Sequence, residues 1–498
     1  MWSRALRQNL WNLAKSDYLK LVFILGLAFY IAFIPHQGYP YPVHIDEWTH
    51  LANSKAIVEE ASAIGMHNPF TGGAAGMSQS LEAGFDLLWA MVQQVSDIPW
   101  LVLFRYFPAI IFIITVLTVY VLGRREGFGW EAALGTCFIL TTVRFLGPGF
   151  MVPVALGLLF IPLSLFIACH LRGWRAYILL FITTAFLVSA HAYTAVGLII
   201  IMAPFIVLNL KKDFRHSLGI AIALVVPFVI PLLIGWFLWG QNVVLDRLGA
   251  FFTSQTSSGA GLSNILKVPY LYGYLPTFLF VFGIFMLARR GKLKDYSLII
   301  APVLLLLLIG LFAHFQRGIQ TLHDRSHLYL MLMMGIVGGY GLWRIRSVKL
   351  PERLKPAFIT RNLGGFLCLL LLIPTLFFSI RTHLDAKYYH TIFEYDYEAF
   401  VWIAENVGDE YDKAIVDPWK ATAFTAITGK HVYSYIITGI SERDQRAYQF
   451  FEEQCRDTAF LRERGISIVY IYIHQTCDNP DLVQVREGVY LLPKEESD

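Results

Sequence analysis

Residues 175–210 read RAYILLFITTAFLVSAHAYTAVGLIIIMAPFIVLNL. As one helix this run would extend about 54 Å at 1.5 Å per residue. The hydrocarbon core of a bilayer is only about 30 Å thick. Both flanks are basic, "HLRGWR" before and "NLKKDFR" after, and Lys/Arg-rich flanks stay cytoplasmic. Two ends on one side require a hairpin, with its tip near "VSAHAYT". The run therefore counts as two membrane spans.

The rest of the chain fits that beginning. Of its 498 residues, 56% are hydrophobic and 15% charged, against about 45–50% apolar and about 25% charged in soluble domains. Eleven apolar segments are long enough to cross: 18–36, 100–122, 131–147, 150–170, 175–189, 191–210, 217–239, 270–288, 296–315, 326–343 and 361–380. Gly147, Pro148 and Gly149 break the chain between the third and fourth. With a cytoplasmic N-terminus, the N-terminal arm and five internal loops hold 21 Lys/Arg, and the external loops hold seven. Eleven spans then place the C-terminus outside. The first run is too long for a signal-peptide core and reads as a retained anchor. The fold class is a polytopic α-helical membrane protein of about 11 transmembrane helices with a small extracytoplasmic α/β domain. Its location is the plasma membrane or the endoplasmic reticulum.

Charge separates two domains. Residues 1–381 carry 29 Lys/Arg and 15 Asp/Glu; residues 382–498 carry 11 and 21. The transmembrane domain, 1–381, includes a long first external loop, 37–99, in which 46–61 and about 80–95 read as surface helices. Residues 382–498 alternate helix and strand: "YEAFVWIAENV", "KAIVD", one long helix over "SERDQRAYQFFEEQCRDTAFLRERG", then "ISIVYIYI" and two strands in "LVQVREGVYLLP". Cys455 and Cys477 both fall in this domain, where an oxidising exterior permits a disulfide. No Cys/His metal spacing is present, and nothing in the charge pattern points to nucleic acid.

Ionisable groups at a membrane boundary are functional candidates. The first loop supplies His44, Asp46, Glu47, His50 and Glu82, and Arg105 follows in span two. Later external segments supply Arg144, His191, Arg317, His323, Asp324, Arg325 and His327. Under this topology all face one side. Carboxylates gather in the first loop and cations before span ten. Sugar transfer from a lipid phosphate needs that pairing: a carboxylate removes the acceptor proton, and cations stabilise the departing phosphate. Each residue has a plainer reading. Asp46 can cap the following helix, and Glu47 can sit in its first turn for the dipole. His44 and His50 can be surface polar residues. Arg317 and Arg325 can snorkel or pair with Asp324. His191 can cap a helix end, Arg105 can anchor span two, and one of Glu82 and Asp86 can be merely solvated.

The segment from about 18 to 130, with "HIDEWTHLANSKAI", "LEAGFDLLWAMVQQVSDIPWLVLFRYFPAI" and "TVYVLGRREGFG", resembles the GT-C superfamily of polyprenyl-phosphate-sugar glycosyltransferases. The likeness is to the protein mannosyltransferase and aminoarabinose transferase branch. By that resemblance Asp46 matches the catalytic base, Glu47 is its neighbour and Arg325 binds the donor phosphate. Glu82 is similar in position to a second acidic residue, but the following Pro-Pro of the family is absent. Some distant relatives use a divalent metal through an Asp-x-Asp loop. No such motif is present here, and the metal remains unknown.

The expected function is inverting sugar transfer from a polyprenyl- or dolichyl-phosphate carrier on the extracytoplasmic face. Asp46 and Glu47 would be catalytic. Arg325, Arg317 and His327 would hold the donor phosphate, under a closing loop near 251–264. His44, His50, Glu82, Arg105 and His191 would contact substrate. The partner is a membrane lipid, and the acceptor is a protein, lipid or glycan. The alternatives are a sugar-lipid flippase and a non-catalytic subunit of a glycan assembly complex.

Overall fold

The computed structural model describes residues 17–63, 67–73, 82–143, 145–242, 244–245, 249, 263–315, 319–348, 357–388, 390–436, 439–472 and 476–494. Two compact units emerge. One comprises Met1–Pro35 and Tyr106–Lys387, the other His36–Arg105 and Tyr388–Asp498.

Apolar helices build the first unit: α1 (Asp17–Phe33), α4 (Trp100–Arg124, entering from the second unit), α5 (Gly129–Thr136), α6 (Pro153–His170), α7 (Trp174–Asn209), α8 (Phe214–Trp239), α9 (Ser263–Tyr272), α10 (Tyr274–Arg290), α11 (Leu293–Phe315), α12 (Gln320–Arg346) and α13 (Ala357–Leu384). Among the described residues, eight helices are long and apolar enough to cross a membrane. The α7 backbone leaves helical geometry at His191 (φ −164°, ψ 87°). The rings of Tyr177 and Phe205 both lie against His216, at 5.7 and 6.4 Å. A straight helix would hold those two residues about 42 Å apart. Residues 174–190 and 192–209 are therefore antiparallel, the expected hairpin. α10 has 17 residues, or about 26 Å of helix.

One expected span departs from regular helix. The segment 131–147 was read as continuous, but α5 ends at Thr136. The chain then runs irregularly until α6, buried over most of its length. It follows α12: Arg346 pairs with Glu131 at 2.7 Å, Gly135 abuts Gly335, and the ring of Phe145 lies 5.2 Å from that of His327. From Arg346 to His327 is about 28 Å along α12. The segment thus spans a bilayer's depth with half a helix and a stretch of irregular chain. Close approach explains the early break. A Cβ on Gly135 would lie 2.5 Å from the Gly335 carbonyl oxygen, and one on Gly147 only 1.9 Å from that of Leu140. Charges collect where α4, α10, α11 and α12 reach the opposite end. There Arg290 bonds Asp295 and Glu126, and Lys294 bonds Glu126.

In the second unit, α2 (Ile45–Glu60) and α3 (Ala83–Ser96) come from the first loop. The remainder is α14 (Glu394–Asn406), β1 (Lys413–Ile415), α15 (Ala421–Thr428), β2 (His431–Val432), α16 (Glu442–Glu452), α17 (Thr458–Glu463), β3 (Ile468–Tyr470), β4 (Val483–Arg486) and β5 (Val489–Leu491). The sheet order is β2-β1-β3-β5-β4. β1 is parallel to β2 and β3, while β5 is antiparallel to β3 and β4. The first loop packs onto this domain. Tyr39 donates to the Ile392 carbonyl (2.8 Å), the Val432 amide to Phe70 O (2.7 Å) and Lys55 to Ala426 O (2.6 Å). Asp396, fully buried, accepts from Lys420 (2.7 Å), Tyr470 (2.6 Å) and the Phe393 amide (2.8 Å). The expected long helix over 441–465 is two helices. Gln454 and Cys455 adopt positive φ, and Asp457 caps the second helix at the Phe460 amide (2.9 Å).

The hairpin yields a topological prediction. Arg175, Ser189 and Lys211 are exposed. An impermeant maleimide should label Arg175→Cys and Lys211→Cys from the same side of sealed vesicles, above the background of the unsubstituted chain, and Ser189→Cys from the other. Labelling of positions 175 and 211 from opposite sides would mean a single crossing.

Candidate active site

The first loop enters α2 through an extended residue, His44 (φ −115°, ψ 154°), which is the N-cap. Its Nδ1 accepts from the Asp46 amide at 3.2 Å. Glu47, three residues on, accepts from the Val43 amide (2.7 Å) and the His44 amide (3.1 Å). This closes a capping box. Glu47 is 0% exposed, with the buried His36 Nε2 at 4.0 Å from Oε1. The expectation that Asp46 caps the helix is thus corrected: His44 and Glu47 do so. The Asp46 side chain is 33% exposed, with Oδ1 3.6 Å from His44 Nδ1.

One turn along, His50 shares the Asp46 face, as i and i+4 residues do. It is buried against Phe85. Its Nδ1 lies 2.8 Å from Asp86 Oδ1 and its Nε2 3.6 Å from Glu82 Oε2. Asn53 donates to Asp86 Oδ2 at 3.2 Å. Burial alone would push the imidazolium toward neutrality. The charge and hydrogen bond of Asp86, with Glu82 and then Asp46, outweigh burial and raise the His50 pKa to about 9. A positive charge is therefore held beneath two partly exposed carboxylates, Asp46 and Glu82, the latter 34% exposed. Asp86, read from sequence as solvated or paired with Glu82 on one face, is buried and anchors this cluster. Only the i to i+4 spacing of Asp46 and His50, and of Glu82 and Asp86, hinted at it.

In the first unit, Arg325 lies in the second turn of α12, and its Nη1 donates to the Phe145 carbonyl at 3.0 Å. Among the described residues its buried Nε meets no hydrogen-bond acceptor. Asp324 pairs with His323 (2.9 Å), so the Arg325–Asp324 pairing considered from sequence is replaced. His327 is buried, edge-on to His323 at 5.3 Å between ring centres. His191 sits at the α7 break. Its Nδ1 accepts from the Thr194 amide (3.2 Å) and lies 2.6 Å from Thr194 Oγ1, which is 2.8 Å from the Tyr329 hydroxyl. That is the helix-end geometry. Arg105 is half-buried in the second turn of α4. Arg144, Arg317 and loop residues 251–262 lie outside the described residues. Near the α9–α10 junction, Phe138, Leu140, Tyr272, Pro276 and Phe378 line an apolar groove of about 430 Å³. Among the described residues, no three His, Cys, Asp or Glu side chains are grouped to hold a metal ion.

No protein-family profile matches the sequence, and no curated protein matches it. Solved structures do. The archaeal oligosaccharyltransferase AglB from Archaeoglobus fulgidus, solved with an inhibitory peptide and a dolichol-phosphate, aligns with a TM-score of 0.60 and 13% identity over 91% of this chain and 70% of its own. ArnT from Cupriavidus metallidurans, bound to undecaprenyl phosphate, aligns with a TM-score of 0.58 and 11% identity over 97% and 99%. The mycobacterial arabinofuranosyltransferase AftD aligns with a TM-score of 0.57 and 15% identity over 96% of this chain and 40% of its own. One structure of the A. fulgidus oligosaccharyltransferase contains Zn and sulfate. The chain shares the overall fold of these membrane-protein structures, in agreement with the polytopic helical fold expected from sequence.

The His50 cluster sets a pH dependence. A raised folded-state pKa adds stability that is complete below the unfolded value near 6.5 and is lost as pH rises through about 9. The contribution is on the order of a few kcal/mol. Thermal unfolding of the detergent-solubilised chain should show a falling midpoint between pH 6.5 and 9. Asp86→Asn should flatten that slope and lower the midpoint at pH 6.5.

Proposed function

We propose that the chain is an inverting glycosyltransferase that moves a sugar from a polyprenyl- or dolichyl-phosphate carrier to an acceptor on the extracytoplasmic side. One observation carries this reading: Glu47 takes the backbone amides at the start of α2, leaving the neighbouring Asp46 carboxylate 33% exposed and, among the described residues, free of backbone bonding. The GT-C fold of the matched structures supports the reaction class.

Asp46 acts as general base. As the acceptor oxygen bonds to the anomeric carbon, Asp46 removes its proton, and the bond from that carbon to the lipid phosphate breaks on the opposite face. The Asp46 carboxylate is among the charges that hold the neighbouring His50 as an imidazolium. Glu82, beside the same imidazolium, faces the acceptor. Glu47 is a positioning residue, because its oxygens are committed to the backbone. Arg325 meets the departing phosphate: its planar guanidinium suits phosphate oxygens, and the Phe145 carbonyl fixes its direction. Arg317 and His327 add donors to the same phosphate. The apolar groove beside Phe138 and Tyr272 accommodates part of the carrier's hydrocarbon chain. The described residues form no three-ligand metal set, and no step is assigned to a metal.

Transfer is measurable with the purified chain, radiolabelled polyprenyl-phosphate sugars and a cell-envelope acceptor fraction. Asp46→Asn should lower the rate about 100-fold or more, the usual weight of a general base. Near-full activity in that variant would remove the base assignment. Arg325→Ala should raise the KM for the lipid donor at least about 10-fold, the loss of one charged phosphate contact. Sugar-lipid that crosses proteoliposomes without transfer would favour a flippase.

A further inference from the structure

Two thiols of the second unit have no part in the proposed reaction. Cys455 is buried with Phe450, Phe460 and Leu461, and Cys477 packs against the same cluster. Cys455 stands at the break between α16 and α17, where Gln454 (φ 57°) and Cys455 (φ 61°) are consecutive left-handed non-glycine residues. Such backbone needs the surroundings to hold it. It is held from the strand-side segment that carries Cys477. The Asp478 amide donates to Gln454 O (2.9 Å) and Asn479 Nδ2 to Cys455 O (2.6 Å). Arg456 pairs with Asp478 (2.6 Å). The neighbouring Cys477 thiol and burial both push the Cys455 thiol up. Both are thiols in this structure.

We propose that Cys455 and Cys477 are a built disulfide site, oxidised when the second unit matures in an oxidising compartment. Cys477, the more exposed of the two, attacks a disulfide-bearing oxidant of the thiol–disulfide exchange class and forms a mixed disulfide. Cys455 then displaces the oxidant's remaining sulfur. One Sγ–Sγ bond forms and two S–H bonds break. The oxidant's own S–S bond breaks, and the two protons and two electrons from the thiols convert it to its dithiol. The closed loop of about 20 residues spans α17 and β3 and pins the left-handed turn. The inference is independent of sugar transfer. It rests on the pairing of the two segments and on the second unit facing an oxidising space.

Peptide mass spectrometry tests it. Membranes are quenched in acid, and the full chain is denatured and alkylated with N-ethylmaleimide without reduction. A peptide pair joined through Cys455 and Cys477, lighter by two hydrogens and alkylated at both positions only after reduction, is the expected result. In the same digest Cys137 and Cys368, buried in the first unit, should carry maleimide and serve as controls. Maleimide on both Cys455 and Cys477 without prior reduction overturns the proposal. Cys477→Ser should leave Cys455 alkylated without reduction. If Cys455 is then blocked through another cysteine, the pairing is wrong.

Discussion

Inside a bilayer every backbone amide and carbonyl must find its partner within the protein. The segment after Thr136 abandons its helix partway across, so its polar groups need enclosure. The segment is led in by close packing of α5 on α12, where Gly135 meets Gly335 and Ala132 meets Gly339, and most of it is buried. The broken backbone also provides acceptors. In a regular helix the Phe145 carbonyl would accept from the amide four residues on. Here it accepts from Arg325. In the same way the carbonyl of Ile139 faces His383 Nε2 at 3.2 Å. The proposed phosphate-binding guanidinium is thus oriented by a carbonyl that is available because the helix stops early. A continuous span at 131–147 would leave Arg325 without its anchor.

A similar economy governs the carboxylates. A helix start exposes amides that attract acidic side chains, and "HIDEWTH" offers two of them. Only one can take the N3 position relative to the extended His44, and that residue is Glu47. Register alone therefore separates a structural carboxylate from an exposed one. Shifting the helix start by one residue would put Asp46 at the N3 position and bring Glu47 out.

Long-range features of this kind account for what was legible in the sequence and what was not. The polytopic helical class, the hairpin in 174–209 and the first-loop helices follow from hydropathy, charge and local periodicity, and these read well from residues alone, whereas eight helices rather than eleven are long and apolar enough to cross among the described residues. The break after Thr136 depends on backbone-to-backbone approach to a helix two hundred residues away, which no local signal encodes. α15, the stretch ATAFTAIT, escaped notice because β-branched threonines weaken its helical pattern, yet it packs against α2. The sequence predicts one helix over 441–465 because its charge pattern remains helical through Gln454 and Cys455, where the backbone turns left-handed. For the site, residue types and side were readable. The pairing of His50 with Asp86 was not, since it joins two helices separated by a turn-rich loop.

That pairing places a cation beside the exposed carboxylates. A buried ionic pair is rarely a stability device, since packed apolar side chains in its place are often as stable or more so. Removing Asp86 alone would strand a desolvated imidazole; replacing both partners with apolar groups would not. Stability therefore gives no reason for the pair to be ionic. Electrostatics does. With Asp86 fixing Nδ1 and Asn53 fixing Asp86, the imidazolium turns its other nitrogen toward Glu82, and Asp46 adds to its field one turn earlier. The buried cation thus stands beside two carboxylates that are each about one third exposed. The cluster couples a buried pair to two acidic groups that are partly exposed.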